Sequence, residues 1–160
     1  MSAASPTRRL SLLALLVTAA VVFALDHLTK WLVTRRIALG EQVPSSGPVT
    51  LHHVQNRGAA FSILPNAQWL FLIVAVAVSA YILLAGHRFG RGLTTQVVLG
   101  LVLGGAVANA VDRVVNGYVV DFVDFHIWPV FNLGDSCIVV GILAIVLVVG
   151  VERREPDRAP

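Results

Sequence analysis

The chain has few charged residues and a single cysteine. Of its 160 residues, 13% are charged and 56% are hydrophobic, a composition that excludes an ordinary soluble domain and indicates a membrane protein. Cys137 excludes an intrachain disulfide, and because it lies in an apolar run with no basic neighbour we expect a small buried hydrophobe. The twelve basic residues form no stripe with interleaved aromatics, so we expect no nucleic-acid partner.

Common hydrolytic motifs and a convincing metal-binding pattern are also missing from the sequence. It contains no Gly-x-Ser-x-Gly element, no Ser-Lys pair and no His-Glu-x-x-His. His52 and His53 are adjacent, so on a strand their side chains would point to opposite faces, and no further ligand follows at a metal-binding spacing. We therefore predict neither a metal ion nor an organic cofactor.

Long apolar runs predict the architecture. A helix needs roughly 20 mostly apolar residues to cross a bilayer, and four runs of about that length occur in what we interpret as one domain, residues 1–160. The predicted transmembrane helices cover residues 10–33, 69–85, 94–112 and 132–151. The longer connections are loops 35–68 and 113–130, and Val49–Val54 in the first of them has strand character.

The distribution of Lys and Arg predicts the orientation in the membrane. With four spans both termini lie on one side, and the termini and loop 87–91 together carry seven of the twelve basic residues. Because cytoplasmic segments carry an excess of Lys and Arg, we expect both termini in the cytoplasm. Loops 35–68 and 113–130 would then face the outer side of the membrane.

Four of the nine acidic residues fall within residues 104–135, namely Asp112, Asp121, Asp124 and Asp135. A charge near the bilayer core costs from roughly 3 to more than 10 kcal/mol, so these carboxylates are expected to serve chemistry, transport or assembly. Apolar neighbours would raise the pKa of Asp121, and we predict that it pairs with Asp135. Two close carboxylates share one proton, so the pair can activate a water for attack on an amide and protonate the leaving nitrogen.

Two pairs of polar residues at helical spacing are expected near these carboxylates. Asp26 and Lys30 are four residues apart, so they share a helix face and are predicted to form a structural ion pair near the membrane interface. Asn109 and Asp112 are three apart on one face, and Asp112 is expected to pair with Arg113 or an arginine of the first loop. That pair either ends the helix or supports the site.

Asn132 and Asp124 are the remaining polar neighbours of the candidate pair. Asn132 precedes Asp135 by three residues, which suggests that both lie on one helix face. Asp124 follows Asp121 closely and is either its partner or the exposed end of the same loop.

The residues alone leave three functions open. The first is a protease, and the second is a proton-coupled transporter that uses the same carboxylates, although the repeats and broken helices common in transporters are missing. The third is a non-catalytic assembly subunit. It would be held together by Gly100, Gly104 and Ala108, which lie four apart and form a helix face suited to close packing.

Five segments between Asp26 and Ser136 resemble, in order, the motifs of lipoprotein signal peptidase (signal peptidase II). They are Asp26-His27-Leu28-Thr29-Lys30, Asn56-Arg57-Gly58-Ala59-Ala60-Phe61, Gly104-Gly105-Ala106 with Asn109-Ala110-Val111-Asp112-Arg113, Val120-Asp121-Phe122, and Phe131-Asn132-Leu133-Gly134-Asp135-Ser136. The sequence departs from the family at Ala108, where Gly is usual, and at Gly134, where Ala is common. Both exchanges are between small residues and remove no functional group.

The resemblance implies an aspartic endopeptidase of the bacterial cytoplasmic (inner) membrane. It would remove the signal peptide from diacylglyceryl-modified prolipoproteins by cutting before the lipidated cysteine. The implied fold is an all-α membrane protein with four transmembrane helices, a small extracytoplasmic β-cradle and a short extracytoplasmic helix, the last two expected in loop 35–68. The active site would lie near the outer face among membrane lipids, and we expect a monomer.

Matched motif by motif, the resemblance assigns Asp121 and Asp135 to a catalytic dyad. It gives Asp26 and Lys30 a structural role. The residues expected to support the dyad and hold substrate are Asn56, Gly58, Asn109, Asp112, Arg113 and Asn132. The small residues expected to let a bulky lipidated peptide approach are Gly58, Ala59, Gly104 and Gly105.

Overall fold

The computed structural model describes residues 6–58, 68–90 and 92–152, and it is mostly helical. Within these described residues, three helices are long and apolar enough to cross a membrane, over Leu10–Arg36, Gln68–Phe89 and Leu93–Asn116, whereas the apolar stretch Leu133–Leu147 is shorter. The α-helices themselves, with bounds that differ slightly from these apolar stretches, are α1 (Pro6–Arg36), α2 (Gln68–Ala85), α3 (Leu93–Asn116) and α4 (Leu133–Glu152).

The ends of α1 and α3 follow from glycine and proline. No Gly or Pro interrupts the sequence between Pro6 and Gly40, so α1 extends beyond the predicted residues 10–33. Helix α3 ends where Gly117 takes a left-handed conformation (φ 76°) and its amide donates to the carbonyl of Arg113 (3.2 Å). The polar residues at the end of α3 therefore remain helical.

Glycines on α3 allow two other helices to pack closely against it. A Cβ on Gly100 would lie 2.7 Å from the Leu15 carbonyl oxygen of α1, and one on Gly104 would lie 2.6 Å from that of Ala19. These contacts confirm the predicted packing face. A Cβ on Gly105 would overlap the Gly134 carbonyl of α4. The expectation that Gly104 and Gly105 leave room for substrate is therefore wrong, because neighbouring helices already fill that space.

A three-stranded antiparallel sheet lies at the end of the helices. Its order is β1 (Gln42–Val43), β2 (Thr50–Asn56), β3 (Val119–Asp124), with β2 in the middle. The expected small sheet is present, but only two strands come from loop 35–68 and the third comes from loop 113–130. Residues 37–58 of the first loop contain no helix, and its remainder, residues 59–67, lies outside the described residues.

The register between β2 and β3 brings loop residues to the site. Leu51 pairs with Val123 but Val54 pairs with Asp121, so β2 carries one extra residue in a bulge. Asn56 pairs with Val119, which makes Asn56 a diagonal neighbour of Asp121 on one face of the sheet. The opposite side of the sheet packs on the end of α1 in an apolar cluster formed by Val33, Ile37, Val120 and Phe122.

The connection from β3 to α4 is a short closed loop. The Val123 amide donates to the Phe131 carbonyl (2.8 Å), and the Phe131 amide donates back to the Val123 carbonyl (3.1 Å). We call residues 125–131 the aromatic loop, because they include Phe125, Trp128 and Phe131.

Candidate active site

Asp121 is held in β3 by two asparagine side chains. It is 2% exposed. The Asn56 Nδ2 of β2 donates to Asp121 Oδ2 (2.8 Å), and the Asn132 Nδ2 donates to Asp121 Oδ1 (2.7 Å). Each carboxylate oxygen of Asp121 therefore has a donor in place before any substrate binds.

Asp135 lies in the first turn of α4, where it forms a reciprocal cap with Asn132. The Asp135 amide donates to Asn132 Oδ1 (2.8 Å), and the Asn132 amide donates to Asp135 Oδ2 (3.3 Å). This is the capping-box arrangement, with Asp in the position where Glu or Gln is usual. The predicted shared helix face is therefore wrong for Asn132, since it precedes α4 and caps it. Asn109 completes the shell by donating to Asp135 Oδ1 (2.7 Å).

Asp121 and Asp135 face one small cavity of about 230 Å³. They come from different elements, β3 and α4, and Asn132 hydrogen-bonds to both. The other residues that line this cavity are Asn56, Gly58, Phe71, Arg113, Trp128, Pro129, Val130 and Phe131. The structure thus brings together the two carboxylates that the sequence predicted to pair.

The environment of Asp121 favours its protonated form. Burial, and next the negative charge of Asp135, raise the pKa of Asp121 from 3.8 to about 7, although hydrogen bonds from Asn56 and Asn132 oppose the shift. Near neutral pH the two carboxyl groups can therefore hold one proton between them. A water placed between such a pair can lose a proton to one group while the other donates a proton.

Lys30 joins α1 to α3 beneath the two carboxylates. Its ammonium group forms an ion pair with Asp26 Oδ2 (2.6 Å) and donates hydrogen bonds to Asp112 Oδ2 (2.6 Å) and Asn109 Oδ1 (2.9 Å). The predicted ion pair of Asp26 with Lys30 is confirmed, but both side chains are buried among helices. The expected arginine partner of Asp112 is wrong, because the packing of α1 against α3 brings Lys30 to it instead.

A second contact ties α1 to the start of α4. The amide of Gly134, the residue before Asp135, donates to Asp26 Oδ1 (2.7 Å), and Asp26 is fully buried. The position of Asp135 therefore depends on α1 through Asp26 and on α3 through Asn109. Asp26 and Lys30, which were predicted to be structural, therefore connect the helices that carry the site.

Arg113 and Gly58 line the cavity in different ways. The Arg113 Nη1 donates to the Asn109 carbonyl (3.1 Å), and its guanidinium lies 5.4 Å from the centroid of the Phe71 ring. Its positive charge therefore lies on the wall that faces the carboxylates. The Gly58 amide donates to Asn56 Oδ1 (2.9 Å), which fixes the orientation of the Asn56 amide group.

Two larger apolar spaces also reach Asp135. One is a groove of about 930 Å³ between the aromatic loop and α4, bounded by residues that include Val49, Phe125, Val139 and Val140. The other is a cavity of about 250 Å³ between α2, α3 and α4. The aromatic walls formed by Phe71, Trp128 and Phe131 were not predicted, although the sequence of residues 125–131 contains three aromatic residues that indicate such a wall.

Neither of the two roles predicted for Asp124, the partner of Asp121 or an exposed loop end, is correct. It is three residues from Asp121 on β3, so the two side chains point to opposite faces of the strand. Asp124 is buried and contacts His52 and His126, so it is neither the partner of Asp121 nor an exposed loop end. Among the residues that the structure describes, no three His, Cys, Asp or Glu side chains are arranged to hold a metal ion.

Comparison with known sequences identifies one family and relatives that belong to it. The family profile described as Signal peptidase (SPase) II matches residues 18–150. The lipoprotein signal peptidase of Halothermothrix orenii is 41% identical over 139 residues, which are 86% of this chain and 95% of the relative. The lipoprotein signal peptidase of Moorella thermoacetica is 42% identical over 149 residues, which are 88% of this chain and 98% of the relative.

Comparison with solved structures agrees in fold. A bacterial membrane enzyme solved by the in meso method at 2.3 Å resolution has a TM-score of 0.78 and 25% identity, over 91% of this chain and 93% of that one. A second such enzyme, at 1.9 Å resolution, has a TM-score of 0.72 and 27% identity, over 84% and 91%. Helices and sheet are therefore arranged here as in enzymes that work in membranes.

Proposed function

The chain belongs to the signal peptidase II family, and on that premise we propose that it removes the signal peptide from prolipoproteins through the carboxyl groups of Asp121 and Asp135. The observation that carries this proposal is one cavity that both carboxyl groups line, with Asn132 donating to Asp121 through its side chain and to Asp135 through its backbone amide. The substrate is a diacylglyceryl-modified prolipoprotein, and the bond cut precedes the lipidated cysteine. Nothing in the comparisons supports the alternative of a proton-coupled transporter.

The proposed reaction uses one proton shared by the dyad. The ionised carboxyl group takes a proton from a water, and the oxygen of that water attacks the carbonyl carbon of the scissile amide. The protonated carboxyl group then gives its proton to the amide nitrogen as the carbon–nitrogen bond breaks. The two groups titrate as a unit, so the acid and base roles belong to the pair. The high pKa of Asp121 supports this arrangement.

The lining residues suggest how the substrate is held. Asn56 and Arg113 border the small cavity as donors for the peptide backbone near the scissile bond, and Gly58 leaves room for close approach. The two apolar spaces open beside Asp135, where they can receive the apolar parts of the substrate. Asn109, Asp112 and Asn132 act by holding the dyad.

The proposed setting is the bacterial inner membrane. We place four spans there, with α4 as the fourth, both termini in the cytoplasm and the dyad near the outer face. The support is the excess of Lys and Arg at the termini and in loop 87–91, together with the position of the sheet beside the carboxyl-bearing ends of α3 and α4. We expect the protein to act as a monomer.

A cleavage assay tests the proposed activity. Purified protein in detergent is given a diacylglyceryl prolipoprotein, and release of the signal peptide is followed on a gel for wild type, Asp121→Asn and Asp135→Asn. We expect both variants to lose at least roughly 1,000-fold in rate while remaining folded. The control is Glu41→Gln, an exposed carboxylate in the first loop. Near-normal turnover in either folded dyad variant would contradict the assignment.

A further inference from the structure

Asp124 is a buried carboxylate with no part in the dyad, and three groups surround it. Its Oδ1 accepts from the His126 amide (2.6 Å), and its Oδ2 lies 3.1 Å from Nδ1 of His52 and 3.3 Å from Nδ1 of His126. Burial acts to raise the pKa of Asp124, but hydrogen bonds from His126 and His52 outweigh it and lower that pKa below its usual value. Asp124 is therefore a charged anchor between β2 and the aromatic loop.

The backbone of His126 has an uncommon conformation that this anchor can stabilise. Its φ is 61°, a left-handed conformation that residues other than glycine rarely adopt. The amide of this same residue donates to Asp124, and its ring contacts the same carboxylate. Asp124 thus contacts both the backbone and the ring of His126, and these two contacts stabilise the turn at the start of the aromatic loop.

The aromatic loop forms a wall of the proposed active site. Trp128 and Phe131 line both the small cavity with the dyad and the apolar groove beside α4. Phe125 packs against Phe131 with 5.6 Å between ring centroids, and the Val123–Phe131 hydrogen bonds close the loop at its base. The shape of the groove at Asp135 therefore depends on how this loop is held.

We propose that Asp124 is a positioning residue which, through His52 and His126, fixes the aromatic loop so that the groove beside Asp135 fits an apolar group of the substrate. The inference rests on the proposed function for the identity of the substrate. Asp124 contacts no reacting atom, and its effect passes through Trp128 and Phe131. Loss of the anchor weakens substrate binding more than it slows the chemical step.

The kinetic test compares Asp124→Ala and Asp124→Asn with wild type. Asp124→Ala removes every acceptor, and we expect KM to rise about tenfold while kcat stays within about threefold. Asparagine keeps an oxygen that can accept from the His126 amide but has no charged oxygen for the two imidazoles, so Asp124→Asn should recover only part of the loss. A wild-type KM in folded Asp124→Ala, or a loss of kcat at unchanged KM, would overturn the proposal.

Hydrogen–deuterium exchange of residues 125–131 gives a readout that needs no substrate. We expect faster exchange there in Asp124→Ala and in His52→Ala, intermediate exchange in Asp124→Asn, and no change in the control Glu41→Ala. If Asp124→Ala does not fold, His52→Ala carries the same test from the opposite strand. Unchanged exchange in both alanine variants would refute the anchor.

The two readouts separate failure of this inference from failure of the proposed function. If wild type does not cleave prolipoprotein, the function fails, and exchange still decides whether Asp124 holds the loop. If exchange rises but KM does not, the loop is anchored without positioning substrate and the inference fails. A substrate with shorter acyl chains identifies the apolar group that the groove receives. If the ratio of the Asp124→Ala KM to the wild-type KM is smaller for this substrate than for the normal one, the groove holds the lipid. If the two ratios are equal, the groove holds part of the peptide.

Discussion

The side chain of Asn132 has two roles that one substitution can separate. Its Oδ1 caps α4, and its Nδ2 donates to Asp121. Serine is also a good N-cap residue but has no amide nitrogen. We predict that Asn132→Ser keeps a melting temperature near that of wild type while kcat falls roughly 100-fold, the usual effect of losing one positioned donor. Cleavage kinetics and thermal unfolding in detergent measure the two effects.

The matched variant for that comparison is Asn132→Ala. Alanine removes the cap as well as the donor, so the same fall in kcat should be accompanied by a loss of about 1 kcal/mol in stability. Full activity in Asn132→Ser would mean that the dyad does not need the Asn132 amide.

The raised pKa of Asp121 predicts how activity depends on pH. Below about pH 7 Asp121 keeps its proton, and above it the proton is lost, so the dyad no longer holds an acid. We expect kcat to fall as pH rises through about 7, approaching tenfold per pH unit at higher pH. Initial rates between pH 5 and pH 9 in one detergent test this, with unfolding at each pH as the control. A rate that stays constant through pH 9 would contradict a shared proton.

At the scale of whole elements, apolar runs in the sequence were sufficient to locate the helices, but not the third strand or the partners of the charges. Residues 119–124 comprise four apolar residues and two aspartates, and only pairing with β2 shows that they form a strand. The bond of Lys30 to Asp112 joins residues 82 apart in sequence. It depends on α1 packing against the glycines of α3, which helical spacing within one segment does not reveal.

The close contact of α1 with α3 gives a prediction at the same scale. A Cβ on Gly104 would lie 2.6 Å from the backbone carbonyl of Ala19, so α1 must move to admit it. We expect Gly104→Ala to lose about 1–3 kcal/mol of stability, the usual cost of overpacking, and to lose activity because Lys30 moves with α1. Thermal unfolding and cleavage are measured together.

Gly92→Ala is the control for that substitution. Gly92 precedes α3 with a φ that alanine tolerates, and a Cβ there would lie 4.0 Å from its nearest neighbour, the Thr95 Oγ1. Equal melting temperatures for the two variants would contradict a tight contact at Gly104.

For the whole molecule, the dyad makes stability depend on pH. In the folded chain Asp121 has a pKa of about 7, against 3.8 ordinarily, so between these values the folded state binds more protons than the unfolded state. Its contribution to stability is therefore full below about pH 4 and is lost as pH rises through about 7. We predict that the melting temperature in detergent falls between pH 5 and pH 8.

The control for the pH dependence of stability is Asp121→Asn, which cannot ionise. Its melting temperature should change less over that range than that of wild type, although Asn56 and Asn132 lose part of their hydrogen bonding. An equally steep decline in Asp121→Asn would assign the effect to other groups.

The hydrogen bond from Gly134 to Asp26 also bears on how the enzyme is made. The ribosome synthesises α1 first, and Asp26 and Lys30 can neutralise each other within that single helix while it waits in the membrane. Asp112 arrives with α3, and Asp135 is delivered only when α4 docks and the Gly134 amide meets Asp26. A partly synthesised chain therefore carries no complete dyad. Under the proposed mechanism, we expect a chain without α4 to have no peptidase activity, because it lacks Asp135.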